Sequence, residues 1–386
     1  MTTYSVAFNL PLPPSCDTRK MLIREVRQGL STRPRSLPPW MFYDARGSRI
    51  YERITELPEY YPTRTERGIL ASCCDQIIAA ACSENARHAP GRSGEPSRTS
   101  VRSTDNTHFV GECRSARGTY FSCFAGAAQP HEDCSERSEV LRLVELGAGT
   151  ASKTLLLLDA AARLKSEVLY APVDVSSDAL DVACETIGRS LPGVCVAPIV
   201  ANYVTDPPQL ETFSGTTLGL YIGSSIGNFT PQEARTILGN LRGQLQSGDA
   251  LLLGVDMVKD EPTLLAAYDD SQGITAEFNL NLLHRLNREL DADFDVSQFR
   301  HRALWNSAES RIEMHLESTA EQSVCIAAAN LNIHFARGER IHTENSYKFT
   351  DASIGILLRD AGFDFEQTWT DKRGWYSVTL ARIRTV

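Results

Sequence analysis

The glycine-rich turn ELGAG at residues 145–149 constrains the fold of this chain more than any other feature. It follows the apolar run LRLVEL, which has the composition of a buried strand, and it precedes a helical pattern over 152–165. Glycines in such a turn let the backbone approach a ligand closely, and the first turn of the helix offers unpaired N–H donors. The turn therefore predicts a ligand site at the carboxyl end of a strand in an α/β fold.

Strand and helix patterns alternate through the middle of the chain. Helical patterns at 177–189 and 231–246 are interspersed with the strand patterns VLYAPVDV, VCVAPIV, LGLYIGS and ALLLGVDM. Short buried strands separated by helices are typical of a doubly wound parallel sheet with helices on both faces. We therefore predict the α/β class for this part of the chain.

A different pattern after residue 260 predicts a second, α+β domain. Residues 261–293 have a helical pattern, and they are followed by the strand patterns RALWN, RIEMHLE and LNIHF. A helix at 352–361 and the hairpin FEQTWTD-KRG-WYSVTLARI end the chain. Because this closing helix and hairpin can return to the first sheet, the region 260–345 is predicted to be an insertion.

Composition and charge argue against several classes of function. With 42% hydrophobic and 23% charged residues among 386, the chain has the balance of a globular protein with room for two domains. A net charge of −9 argues against nucleic-acid and membrane-surface binding, since both need a positive face. The start resembles no signal peptide and no apolar run approaches roughly 20 residues, so we expect a cytoplasmic protein. The ten cysteines form no C-x-x-C pair, so reduced thiols are expected.

Two classes of cofactor use a turn like that at 145–149. Dinucleotides require G-x-G-x-x-G, and here Ser152 occupies the third glycine position. The acidic E-x-G-x-G form suits an adenosyl sulfonium, which has no pyrophosphate. Asp174 ends the next strand and is placed to accept from both ribose hydroxyls, while Asn202 and Tyr203 follow the third strand, where adenine would lie. S-adenosylmethionine is favoured; a dinucleotide site and a plain strand-turn-helix stay open.

A second candidate ligand site follows the fourth strand, in the segment GSSIGNFTP at 223–231. Thr230-Pro231-Gln232-Glu233 is a capping box with proline at the first helical position, so a helix begins there. Asn228 then lies in the crevice where open α/β sheets bind ligands. Its amide suits a zwitterionic amino acid, because it can donate to a carboxylate and accept from an amine. A turn asparagine without a ligand is the alternative.

Long motifs over nearly the whole chain resemble the histidine-specific Nα-methyltransferases of ergothioneine biosynthesis. They are LPPWMFYDARGS, ITELPEYYPTR, LVELGAGTASKT, GSSIGNFTP, GVDMVKD, AYDD, FNLNLLHRLNRELDADFD, WNSAESRIEMHL and TENSYKF. The resemblance implies a Rossmann-like class I methyltransferase domain and an inserted α+β substrate domain, with histidine bound between them. It places the methyltransferase domain at 65–256 and 347–386, and the substrate domain at 1–64 and 257–346.

The resemblance also implies the residues of the site. Cofactor binding would fall to Gly147, Lys153 and Asp174, together with Gly149, Asn202, Tyr203 and Gly223. Tyr60, Asn228 and Tyr268 would surround the carboxylate and amine of histidine. Tyr43 would lie near the amine that is methylated, and with Asn228 it is the candidate catalytic residue. Glu344 and Ser346 would bind the imidazole, with Met314 packed against it. The product would be the trimethyl betaine hercynine.

Two departures from the family pattern concern Asn202 and the segment 84–139. Asn202 stands where we would align an acid in the bacterial members. The segment lacks apolar periodicity and is rich in Ser, Arg, Gly and Pro, so we predict that it is disordered. Its cysteines and histidines are spaced too widely for a short-loop zinc site, and no metal is predicted; they are His88, His108, Cys113, Cys123, His131 and Cys134.

Two other functions remain open at this stage. The first is methylation of another amino acid, such as an indole-bearing one, which Glu344 argues against because an indole gains little from a carboxylate. The second is a non-catalytic S-adenosylmethionine-binding module, which the full set of substrate residues argues against. We expect a monomer that acts on a small molecule and binds neither nucleic acid nor membrane.

Overall fold

The computed structural model describes residues 16–83, 113–114, 120–121, 140–204 and 207–384. The side chains of the six cysteines and histidines considered for zinc lie outside these residues, as does the fold of the segment 84–139 apart from one short strand pair. Among the helices described, none is long and apolar enough to cross a membrane.

The described helices and strands are as follows. The helices are α1 Cys16–Ser31, α2 Ala45–Glu56, α3 Tyr61–Cys82, α4 Thr154–Leu164, α5 Ser177–Ser190, α6 Pro231–Arg242, α7 Glu261–Ala266, α8 Ile274–Leu290 and α9 Asp351–Asp360. The strands are β1 Arg35–Ser36, β2 Cys113–Arg114, β3 Tyr120–Phe121, β4 Val140–Leu146, β5 Glu167–Asp174, β6 Val194–Val196, β7 Ile199–Val200, β8 Thr216–Tyr221, β9 Ala250–Asp256, β10 Phe299–Asn306, β11 Arg311–Ser318, β12 Gln322–Ile326, β13 Leu331–Phe335, β14 Arg340–Tyr347, β15 Phe363–Thr370 and β16 Tyr376–Ile383.

The larger sheet has the doubly wound topology that the sequence predicts. Its order is β15-β16-β9-β8-β4-β5-β6, with β7 paired to β5. Strands β4, β5, β6, β8 and β9 run parallel, whereas β16 and β15 are antiparallel. The order reverses at β4, between β5 and β8, which is where such sheets form a ligand crevice.

Both faces of the larger sheet are covered by helices, which explains why its strands are apolar on both sides. Leu141 and Leu143 of β4 pack with α3, α4 and α5 in one buried cluster. Val144 and Leu146, on the opposite face of the same strand, pack with α6 and α9. The closing helix and hairpin belong to this sheet, as the sequence predicts. The three-layer arrangement confirms the Rossmann-like α/β class.

The smaller sheet combines β1, from the N-terminal part of the chain, with three strands that follow residue 260. Its order is β1-β14-β11-β10, and a separate hairpin pairs β12 with β13. Helices α1, α2 and α8 share one apolar cluster with its strands. Segments distant in sequence therefore bury each other's apolar surface, and the N-terminal residues form part of this second core.

The predicted helix over 261–293 is wrong in one respect, because the structure divides it into α7 and α8. Between them Gly273 has a φ of 70°, a left-handed conformation that glycine adopts without strain. The carboxylate of Asp270 accepts from the backbone N–H groups of Ile274 and Thr275 at 3.0 and 2.7 Å. This carboxylate satisfies donors at the start of α8, so the local turn outweighs the continuous helical pattern.

Candidate functional site

The glycine turn after β4 is shaped by left-handed residues. Gly147 and Gly149 have φ values of 71° and 52°, and the N–H of Gly147 donates to the carbonyl of Val173 at 2.8 Å. A Cβ added at Gly147 would lie 3.2 Å from the hydroxyl of Tyr203. Both the backbone conformation and this close approach require glycine, so the turn fits a ligand that lies against the backbone.

Asp174 links the end of β5 to the glycine turn. One carboxylate oxygen accepts from the backbone N–H of Gly149 at 2.9 Å, and the other accepts from the N–H of Ser176 at 2.9 Å. Burial raises the pKa of Asp174 even though these N–H donors oppose the shift. A carboxylate has about four acceptor positions, so Asp174 can still accept from a hydroxyl group of a ligand.

Glu66 on α3 is a buried residue of this site that the sequence analysis missed. Its carboxylate accepts from the N–H of Gly223 at 2.7 Å, from Lys153 Nζ at 2.5 Å and from the hydroxyl of Tyr376 at 2.8 Å. Burial opposes the charge on Lys153, but the Glu66 carboxylate outweighs it and raises the pKa of the lysine. Glu66 therefore holds Lys153 beside Gly223, between the ends of β4 and β8.

Asn202 and Tyr203 follow β7, and the hydroxyl of Tyr203 lies near Gly147 of the glycine turn. The side-chain oxygen of Asn202 accepts from the backbone N–H of Val204 at 3.1 Å, which closes a local turn. The ring of Tyr203 packs edge-on against Tyr221, with centroids 5.8 Å apart. Burial raises the pKa of Tyr203 to about 12, so its hydroxyl stays protonated at neutral pH. Adenine contact by this pair stays a prediction.

A cavity of about 590 Å³, measured with its open mouth, lies between the two sheets. Strands β8 and β9 of the larger sheet lead into it at their carboxyl ends, and β11 and β14 of the smaller sheet line it with residues inside the strands. All predicted substrate residues line it: Tyr43, Tyr60, Asn228, Tyr268, Met314, Glu344 and Ser346, together with Gly223 from the predicted cofactor set. The structure thus brings residues up to 300 positions apart into one pocket.

Asn228 reaches this pocket at the end of a short helical turn, Ser225–Asn228. Thr230 and Glu233 form the predicted capping box, which starts α6 immediately after it. A Cβ at Gly227 would come within 2.7 Å of the carbonyl of Tyr347 on β14. Glycine at this position therefore allows the two sheets to approach each other at the pocket.

Glu344 is the most perturbed acid of the pocket. Only 7% of the residue is exposed, and among the described residues none donates a hydrogen bond to its carboxylate. Burial raises the pKa of Glu344 to about 8, although the charge of Lys348 opposes that shift. Met314 is its register partner on β11 and faces the same cavity. A buried carboxyl without a partner among the described residues, beside an apolar side chain, is suited to a polar ring whose N–H donates a hydrogen bond.

Several aromatic rings line the pocket and contact one another. The ring centroids of Tyr43 and Tyr51 are 5.8 Å apart, those of Tyr51 and Tyr60 6.4 Å, and those of Tyr60 and Tyr268 6.2 Å. Burial raises the pKa values of Tyr43 and Tyr60 well above the ordinary tyrosine range. Tyr51 was not predicted from the sequence, because its helix α2 also carries exposed polar residues. The rings offer apolar faces to an amine and its methyl groups.

Metal ligands are not grouped in the described part of the chain: no cluster of three or more His, Cys, Asp or Glu residues is arranged to hold an ion there.

Comparisons with known proteins agree with this geometry. The family model described as histidine-specific methyltransferase, SAM-dependent, matches residues 22–93 and 127–383. A Mycolicibacterium smegmatis protein named histidine N-alpha-methyltransferase is 38% identical, and the alignment covers 93% of this chain and 94% of that protein.

Two fungal relatives are more distant. Ergothioneine biosynthesis protein 1 of Neurospora crassa is 28% identical over 87% of this chain and 32% of its own length. The L-tryptophan methyltransferase of Psilocybe serbica is 26% identical over 62% of this chain and 72% of its own. The chain is therefore similar to proteins named for two different amino acids, histidine and tryptophan.

Proposed function

Since the chain belongs to the family of histidine-specific, S-adenosylmethionine-dependent methyltransferases, we propose that it methylates the α-amino group of L-histidine in ergothioneine biosynthesis. The single observation that carries the choice of histidine is Glu344, a buried carboxyl in the pocket to which none of the described residues donates a hydrogen bond. An imidazole N–H is a donor of the size and polarity that this position lacks.

The residues around the glycine turn fit S-adenosylmethionine. Gly147 and Gly149 open the backbone, Asp174 offers free lone pairs to ribose hydroxyls, and Lys153 and Gly223 lie toward the substrate pocket. We assign adenine contact to Asn202 and Tyr203. When bound, the cofactor supplies an electrophilic methyl group on its sulfonium.

The pocket residues divide by chemistry. Asn228, Tyr60 and Tyr268 offer an amide and two hydroxyls to the α-carboxylate and amine. Glu344 and Ser346 face the imidazole, and Met314 packs against the ring. In this assignment Tyr43 lies next to the amine. These roles follow the resemblance motif by motif, and the shared cavity supports them.

Methylation requires the amine lone pair, so the substrate amine must be neutral. A free α-amino group has a pKa of about 8, and a modest fraction is therefore neutral at pH 7. Burial raises the pKa of Tyr43 well above its usual value, so its phenol stays protonated and its oxygen accepts from the amine. Orientation of the amine by Tyr43 and Asn228 would supply much of the rate.

We propose that three transfers take place, giving the trimethyl betaine. Each added methyl group makes the amine end larger and less able to donate hydrogen bonds. The faces of Tyr43, Tyr51, Tyr60 and Phe278 suit this change, because aromatic faces attract a quaternary ammonium without a hydrogen bond.

Tryptophan is the second candidate substrate, because the Psilocybe serbica relative carries its name. Glu344 favours histidine, since a buried carboxyl gains a charge-assisted bond from imidazole and much less from indole. A protein that only bound S-adenosylmethionine would not need all of the predicted substrate residues in one pocket. Their arrangement therefore argues against a non-catalytic module.

The test is mass spectrometry of histidine and tryptophan incubated separately with the protein and S-adenosylmethionine. We expect products carrying one, two and finally three additional methyl groups from histidine. Nα-acetylhistidine is the matched control, because its nitrogen lone pair is delocalised, and it should remain unchanged. Methylation of tryptophan in preference to histidine would overturn the proposal.

Three further expectations accompany this function: a monomeric protein, a cytoplasmic location, and no binding of nucleic acid or membrane. They rest on the sequence alone.

A further inference from the structure

A buried lysine, Lys348, lies behind the substrate pocket at the end of β14. Its side chain has no exposed surface, and its Nζ lies 2.9 Å from Asp256 Oδ2 at the end of β9. The same nitrogen donates to the hydroxyl of Tyr268 at 2.8 Å and to Ser346 Oγ at 2.8 Å. All three ammonium protons therefore have acceptors, and two of these acceptors line the substrate pocket.

This donation restricts the hydroxyls of Tyr268 and Ser346. Their oxygens are 2.7 Å apart, so one hydroxyl donates to the other. Each oxygen already accepts from Lys348, which leaves the pair one free hydroxyl proton. That proton is available to a ligand in the pocket, which both residues line. Without Lys348 the two hydroxyls could still bond to each other, but the remaining proton could also turn toward the space that the ammonium now fills.

We propose that Lys348 is a positioning residue for histidine, which orders the Tyr268 and Ser346 hydroxyls so that they present a single hydrogen-bond donor to the bound substrate. The inference rests on the proposed histidine methylation. It assigns to Lys348 no contact with the substrate.

The charge of Lys348 also acts on Glu344. Lysine charge lowers the pKa of this carboxyl against the effect of burial, and Asp256 is the counter-charge that keeps Lys348 protonated. Other titratable groups facing this cluster are Tyr43 beside Glu344, and Lys259 and Tyr61 beside Asp256. Loss of Lys348 would therefore raise the pKa of Glu344 further and shift the pH dependence of histidine binding upward.

Lys259 provides a matched comparison within the same cluster. Its Nζ lies 2.6 Å from Asp256 Oδ1 and donates to the hydroxyl of Tyr61 at 2.7 Å. Only 4% of its side chain is exposed. Lys259 thus shares with Lys348 the residue type, the burial and the carboxylate partner. The contacts that distinguish Lys348 are those with Tyr268 and Ser346.

The experiment compares wild type, Lys348→Met and Lys259→Met. Histidine KM and kcat are measured across pH, and S-adenosylhomocysteine affinity is measured by calorimetry. We expect Lys348→Met to raise KM for histidine about tenfold or more, since ordering of two hydroxyls is lost. Cofactor affinity should change less than about twofold, and the acidic limb of kcat/KM should move to higher pH. Lys259→Met should leave KM for histidine within about twofold of wild type.

A double-mutant cycle tests the route of the effect. If Lys348 acts through the hydroxyls, Ser346→Ala should add little to the KM of Lys348→Met, although it raises KM in the wild-type background. Should Lys348→Met fail to fold, Asp256→Asn/Lys348→Met removes both charges of the buried pair and serves in its place.

An unchanged KM in the Lys348 variant, an equal rise in Lys259→Met, or additive effects in the cycle would each overturn the inference. Absence of histidine methylation by the wild-type protein would instead overturn the proposed function, so the two failures are distinguishable.

Discussion

Glu344 connects burial to substrate choice at the scale of a single residue. A carboxyl in a pocket that water leaves on substrate binding loses free energy of solvation unless a donor replaces the water. Burial of this carboxyl raises the pKa of Glu344 to about 8. An imidazole N–H offsets this loss of solvation through a charge-assisted hydrogen bond. Ser346 lies two residues along the same strand and lines the same pocket.

Glu344→Ala should lower kcat/KM for histidine, because the charge-assisted bond to imidazole is lost. A loss of about 1.5–3 kcal/mol corresponds to roughly ten- to more than a hundredfold. Binding of S-adenosylhomocysteine, measured by calorimetry, should not change. Glu313→Ala, on the neighbouring strand but outside the cavity, is the control. Intact histidine turnover in Glu344→Ala would remove the imidazole assignment.

Asp174→Ala should weaken binding of S-adenosylhomocysteine by about tenfold or more, since a carboxylate that accepts from ribose is lost. The N–H groups of Gly149 and Ser176 would also lose their acceptor. Isothermal titration calorimetry measures the effect. Asp178→Ala, an exposed substitution at the start of α5, is the control. Equal affinities in wild type and Asp174→Ala would show that Asp174 does not bind ribose.

Glu66 shows why part of the site was not predicted from the sequence. Its position one turn before Ile69 and Leu70 places a carboxylate on the buried face of α3. An acid on an apolar helical face is a signal of a buried partner. Its partners Lys153, Gly223 and Tyr376 are between 87 and 310 residues distant, and no local pattern identifies them.

At the scale of elements, the sequence predicts the strands that are buried by apolar packing, but it misses β14, which contributes Glu344 and Ser346 to the pocket. Every parallel strand of the larger sheet was predicted. Strand β14 was not, because the side chains it buries include Thr343, Glu344 and Ser346. A strand that lines a polar pocket loses the apolar alternation on which prediction depends.

Helix α1 was missed for a different reason. Its buried residues Leu22, Val26 and Leu30 recur every four positions and have no exposed surface. This spacing is a helical signal, but Met21 and Ile23 lie off that face and charged residues surround it, which makes the signal weak. The core that Leu22, Val26 and Leu30 pack into is completed by strands more than 260 residues later, which no local pattern reveals.

We predict that the segment between α3 and β4 is not needed for folding or activity. The family model matches residues up to 93 and from 127, and the sequence between them has no apolar periodicity. Burial of such a sequence would not offset an ordering cost of roughly 1–2 kcal/mol per residue. Replacement of 94–126 by a short Gly-Ser linker should therefore leave kcat/KM for histidine and the melting temperature within error.

Kinetics and thermal unfolding of the shortened protein test this expectation. Stoichiometric zinc in the purified full-length protein, or loss of folding on replacement, would show that the segment has a structural role.

The pH dependence of stability belongs to the whole molecule, because every buried titratable group contributes to it. Burial raises the pKa of Glu344 to about 8 and that of Glu145 to about 7. The unfolded chain loses these protons near pH 4.5. Each acid therefore stabilises the fold fully below that pH, and its contribution is lost as the pH rises through the folded pKa.

Several histidines act in the opposite direction at lower pH. Desolvation lowers the pKa of four of them: the buried His301, the half-buried His315 and His342, and the more exposed His284. Their effect on stability is complete once the unfolded chain has released its histidine protons, near about pH 6.5. Above that pH the two buried glutamates dominate.

We therefore expect the stability of the ligand-free protein to fall between about pH 6.5 and 8, with Glu344 contributing on the order of 1–2 kcal/mol of the fall. Glu344→Gln keeps the shape of the side chain and removes its titration, so its melting temperature should fall less over this range, by about 1–2 °C. Glu313→Gln is the matched control, because hydrogen bonds and Arg311 outweigh burial and lower the pKa of Glu313 to about 2, far from the range tested. Scanning calorimetry across pH measures the slopes. A parallel slope for wild type and Glu344→Gln would show that the Glu344 carboxyl is already ionised in the folded protein.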